Sequence, residues 1–133
     1  MANLTANKEV EEQHPRLMSM AMAGEKIFKG ALCNINAAGF IAKSVAEAGA
    51  VFAGVAYEQV DNSAGSAGDL EIKILRHGVF KLSGAGFAQT DVGQSVYASD
   101  DQTISKTQGT NEVAVGKIVK FISAAVVYVE INK

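Results

Sequence analysis

Cys33, His14 and His77 are the side chains of this sequence best suited to nucleophilic or metal chemistry. A thiol turns nucleophilic when a base or a positive charge beside it stabilises the thiolate. Cys33 lies in the apolar context Ala31-Leu32-Cys33, the usual setting of a small core residue. A Cys33–His77 pair stays geometrically open, but neither histidine has an acidic or cysteine neighbour at ligand-like spacing. With one cysteine there is no intramolecular disulfide and no four-cysteine zinc site. Ser83-Gly84-Ala85-Gly86-Phe87 has two glycines of a phosphate-cradling loop but lacks the third, and no helical pattern follows it. Gly93-Gln94-Ser95 lacks the second glycine of a nucleophile elbow. Asp100-Asp101 falls in a turn sequence, and together with Asp61 and Asp69 it lacks the regular oxygen spacing of a calcium loop. The expectation is a chain with no catalytic residue, no metal and no cofactor.

The elements around these residues are short and apolar. At 133 residues, with 48% hydrophobic and 20% charged side chains, the chain can bury a core of its own as a single domain. A net charge of -2 argues against the basic footprint that neutralises nucleic-acid phosphates, so no nucleic-acid partner is expected. The first residues, Met-Ala-Asn-Leu-Thr-Ala-Asn-Lys-Glu-Val, lack the basic end and apolar core of a secretion signal. No later run approaches the length that spans a membrane. Synthesis in the cytoplasm and no membrane partner follow as expectations.

Residues 1–24 read as an N-terminal arm, followed by one β-rich domain over 25–133. The polar stretch 1–16 offers little to anchor it in a core, and a helix over residues 8–22 would be interrupted by Pro15. Met18, Met20 and Met22 recur with period two and share one face if the segment is extended. They either pack on the protein's own sheet or, with Leu17, form an adaptable apolar contact for a partner.

From Glu25 onward, turn signals arrive about every dozen residues, the spacing of an all-β sandwich or small barrel. Strands are predicted over 27–33, 39–45 and 51–60, and the small polar run 61–69 is a loop. Leu70, Ile72 and Ile74 alternate with Glu71 and Lys73, the pattern of a half-buried strand, and 79–82 supplies another. A hairpin joins 94–98 to 102–106, and the β-branched runs 113–122 and 124–131 make central strands, with Gly116 marking a bulge or close packing. The fold class is therefore all-β, a compact antiparallel β-barrel or sandwich with an extended N-terminal arm.

Several short motifs recur in a fixed order: Lys29-Gly30-Ala31-Leu32, Ala38-Gly39-Phe40, Gly54-Val55-Ala56 after Phe52, Gly68-Asp69 before a strand, Gly78-Val79-Phe80, Gly93-Gln94-Ser95-Val96-Tyr97 and Val115-Gly116. In this order the chain from about Lys26 onward resembles the capsid cement, or head decoration, proteins of tailed phages. The resemblance implies a non-enzymatic structural protein on the exterior of the virion. It also implies two partners, the major capsid protein and further copies of itself in a homo-oligomer, often trimeric. Such a protein binds the assembled shell and not its free subunits, and so stabilises the shell by mass action. The arm, with Leu17, Met18, Met20 and Met22, is then the expected partner contact. Two other classes are a small-ligand-binding β-barrel, which requires a sizeable apolar cavity, and a small hydrolase using Cys33 or Ser95.

Overall fold

A computed structural model describes residues 2–10 and 15–133. The described chain forms β1 (Leu17–Ala21), β2 (Lys26–Ile27), β3 (Leu32–Ile35), β4 (Ile41–Lys43), β5 (Val51–Ala56), β6 (Val60–Asp61), β7 (Glu71–Leu75), β8 (His77–Ser83), β9 (Ser95–Ala98), β10 (Ile104–Ser105), β11 (Ala114–Ser123) and β12 (Val126–Asn132). Its one helical element is a 3-10 turn at Gln89–Asp91.

Local sequence explains most of these boundaries. In β7, Ile72 and Ile74 are buried while Glu71 and Lys73 face water, so the period-two pattern alone sets its orientation. The β3–β4 hairpin turns on Asn36, whose Oδ1 accepts hydrogen bonds from the backbone of Ala38 (3.1 Å) and Phe40 (3.0 Å). Several predicted strands are shorter than expected, with 39–45 reduced to Ile41–Lys43 and 102–106 to Ile104–Ser105 among them. The run 27–33 is broken by a turn in which Ala31 N donates to Phe28 O at 3.2 Å, and 51–60 leaves the strand after Ala56 before resuming at Val60.

The strands form two five-stranded antiparallel sheets, ordered β1-β7-β5-β3-β4 and β10-β9-β11-β12-β8, with a two-stranded ribbon β2-β6. This is the all-β architecture expected, and the first sheet curls into a half-barrel. Its two edges come together where Met22 bridges Ile41 in parallel and Ala23 N donates to Ile41 O at 2.8 Å. The core is correspondingly double. Between the sheets, Leu32, Phe52 and Val55 of the first meet Val96, Val115, Ile118, Val127, Val129 and Ile131 of the second. Inside the curl, Met22, Ile27, Cys33, Ile41, Ala53, Ile72 and Ile74 pack together.

Strand β5 serves both cores, and this requires a break in parity. Phe52 and Val55 face one core while Ala53 and Ala56 face the other, although residues three apart point to opposite sides of a regular strand. The register shift against β3 between Cys33 and Asn34 supplies the extra residue. Gly54 sits at this bulge with φ 148°, and a Cβ there would run into Leu75 O of the adjacent strand and come within 2.9 Å of Ile74 Cγ2. Gly116 marks a second bulge, expected from its sequence position, where the register against β9 shifts and a Cβ would strike Glu130 O.

Arg76 hands the chain from one sheet to the other. Its N–H donates to Arg16 O at 2.6 Å beside the first sheet, and its C=O accepts from Lys133 N at 3.0 Å at the end of the second.

Candidate partner-binding surface

The N-terminal segment divides into two parts. Residues 17–22, placed with the arm on sequence grounds, are laid into the first sheet, where β1 pairs with β7 from Leu17↔Leu75 to Ala21↔Glu71. Being extended, the segment puts Met18, Met20 and Met22 on one face. Met22 is fully buried and Met20 packs at the rim of the inner core. The Arg76 guanidinium reaches under this row, with Nη1 3.9 Å from Met18 Sδ and 3.8 Å from Met20 Sδ, while Nε donates to Ala53 O at 2.9 Å. On the opposite face Ser19 Oγ donates to Glu71 Oε1 at 2.9 Å. Met22 is thus engaged with the protein's own core, and Leu17, Met18 and Met20 keep partial exposure.

Residues 2–10 are exposed throughout and form no strand. Leu4 and Val10 are 74% and 78% exposed, so two aliphatic side chains are held in water on a polar segment. A truncation that probes this segment therefore has to stop short of β1. Removing residues 1–10 is expected to leave stability within about 0.5 kcal/mol of the full chain, as for other exposed positions. Removing residues 1–22 deletes an edge strand and Met22, a buried side chain whose truncation alone costs about 2–5 kcal/mol, and is expected to abolish cooperative unfolding. Thermal melts followed by circular dichroism separate the two outcomes.

The residues with chemical potential are not brought together. Cys33 is fully buried in the inner core, and its Sγ donates to Ala31 O at 3.5 Å. Burial pushes its thiol up to about 12, and the charges of Glu25 and Asp101 push in the same direction, which keeps it protonated at neutral pH. His77 begins β8, half-buried, with its C=O accepting from Arg16 Nε at 3.3 Å. His14 lies outside the described residues. The aspartates shape turns. Asp100 Oδ1 accepts from Gln102 N and Thr103 N at 2.8 and 2.7 Å, Asp69 Oδ2 from Ser66 N at 2.8 Å, and Asp61 Oδ1 from Ser63. Among the described residues no group of three or more His, Cys, Asp or Glu side chains is placed to hold a metal. Ser95 is half-buried in β9, opposite Lys117.

Two clefts among the described residues are open surface depressions. One of about 430 Å³ lies between Phe28 to Ala31 and Asp101–Gln102, and one of about 350 Å³ between Phe52 and Val113 is rimmed by Glu47 and Glu112. Mixed polar rims of this kind differ from the enclosed apolar cavity that a ligand-binding barrel uses.

Sequence reasoning missed the exposed aliphatics of the second sheet. Strand β11 shifts register against β12 between Ile118 and Lys120 and again between Phe121 and Ser123. The residues at those shifts, Val119 and Ile122, are 43% and 45% exposed. In the sequence they belong to the β-branched run 113–122, and nothing local signals the two bulges.

No protein-family model matches this chain, no curated protein matches it in sequence, and no solved structure matches its fold.

Proposed function

We propose that this protein is a non-enzymatic capsid decoration factor, which binds the outer surface of an assembled phage head as a homo-oligomer and stabilises the shell. The observation that carries the reading is the pairing of a small, doubly cored all-β body with a solvent-exposed segment, residues 2–10, that presents Leu4 and Val10 outward. A segment of this kind orders when it meets a partner, at an entropic cost that many symmetry-related copies on a shell can offset together. The ordered motifs of the resemblance add support, since Gly54 and Gly116 within them stand where strands pack too closely for any side chain.

Shell stabilisation by such a protein is a linkage effect: preferential binding to the assembled state raises its melting point in proportion to the logarithm of free protein concentration. Heads assembled from the cognate major capsid protein are therefore expected to melt at a higher temperature once the purified chain is added. Calorimetry with and without the chain measures this, and identical melting curves at saturating protein would reject decoration.

A further inference from the structure

The outer face of the second sheet carries a charge pattern that the fold itself does not use. Strand register places Lys81 of β8 opposite Tyr128 of β12, and Tyr128 opposite Lys120 of β11. One rung away, Val79 stands opposite Glu130 and Glu130 opposite Lys117. With neighbouring strands about 4.8 Å apart, Lys81 and Lys120 flank the Tyr128 ring from strands about 10 Å apart. Lys120 Nζ lies 5.8 Å from the centroid of that ring.

None of these three lysines has an ion pair among the described residues, although Glu130 is the cross-strand neighbour of Lys117; the one ion pair found there joins Lys106 to Asp91. Three lysines against one glutamate give the face a charge of +2 on a chain of net charge -2, which leaves -4 on the rest. Val79, 53% exposed, belongs to the same face, and Val119 and Ile122 stand out from the bulges of β11.

We propose that this face is a docking surface for an acidic protein surface, with Tyr128 and Val79 as its central contacts and Lys81, Lys117 and Lys120 as its charge contacts. An aromatic centre with a charged rim is the anatomy of a protein interface, and the unpaired lysines steer and orient the encounter. Two features favour protein over nucleic acid or an anionic membrane: Glu130 in the middle of the face repels phosphate, and the exposed valines find no complement along a phosphate backbone. Resting on the decoration reading, the inference identifies the partner as the outer surface of the shell and names the side of the molecule that meets it.

The test is co-sedimentation of the full chain with heads lacking it, at 50 and 300 mM salt, comparing the wild type with a K81E/K117E/K120E variant. All three positions are exposed, so the variant is expected to melt within a few degrees of wild type, and its melt is recorded first. The wild type is expected to bind at least tenfold more weakly at the higher salt. The triple variant is expected to bind at least tenfold more weakly than wild type at the lower salt. A folded variant that binds heads as well as a binding wild type overturns the docking face and leaves decoration standing. A wild type that fails to sediment with heads at either salt overturns both. Lysine-dependent binding to phosphatidylserine vesicles or single-stranded DNA that is tighter than binding to heads overturns the assignment to an acidic protein.

Discussion

Replacing Gly54 with alanine is expected to destabilise the protein by about 3 kcal/mol or more, a large part of the 5–15 kcal/mol that stabilises a typical domain. Two independent penalties add at this position. The backbone φ of 148° is one that side-chain-bearing residues rarely adopt, and holding it costs on the order of 1–3 kcal/mol. The new methyl group would also collide with Leu75 O and press against Ile74 Cγ2, and neither neighbour can retreat. Leu75 belongs to the paired strand, and Ile74 is fully buried. Relief would require separating β5 from β7, which opens both cores at once because β5 lines both. Denaturant titration of Gly54→Ala should show the midpoint falling steeply or the soluble folded fraction vanishing. A midpoint within 0.5 kcal/mol of wild type would mean that the bulge at β5 is not rigid.

The second large effect is alkaline. The Cys33 thiol titrates near 9.0 in an unfolded chain and near 12 in the folded one, chiefly because burial penalises the thiolate. Below pH 9 both states hold the proton and the group contributes no pH dependence. Between pH 9 and 12 the unfolded chain releases a proton that the folded chain keeps, so folding stability falls as pH rises, by about 1.4 kcal/mol per pH unit and about 4 kcal/mol across the window. Lysines and tyrosines titrate there too, so the informative quantity is the difference between wild type and Cys33→Ala. The variant is expected to carry a fixed offset from its lost packing and a shallower decline above pH 9. Parallel declines would place the thiol in a far wetter site than the inner core. The same burial predicts that a thiol reagent labels Cys33 only at the rate of unfolding.

The sequence made the fold class legible because strand patterning is a local property. The alternation in β7 needs only five residues to declare itself, and the β-branched runs near the C-terminus became β11 and β12, both interior to their sheet. The period-two methionines were legible in the same way, as one face of an extended segment. Their destination was not, because the burial of Met22 depends on Ile41, nineteen positions later, closing the half-barrel over it. The expected break near Gly39 appeared because an asparagine turn encodes it. The break after Ile27 was not legible in the sequence, since it arises where the chain turns at Phe28–Ala31 and Gly30 N bonds to Ala56 O. The candidate surface was the least legible part. A pattern of lysines on β8 and β11 around Tyr128 and Glu130 of β12 has no sequence spacing to recognise, and it becomes one face only through register.

The closure of the first sheet also bears on how the protein behaves when crowded. Open sheet edges are templates on which other chains add strands, and dense populations of β proteins aggregate through them. Here the edges β1 and β4 turn toward each other at the Met22–Ile41 bridge, β10 is only two residues long, and β8 presents Lys81. Each edge is closed off, too short to template, or charged. A chain built this way withstands a high local concentration of its own copies, where edge-to-edge association would otherwise compete with any ordered arrangement.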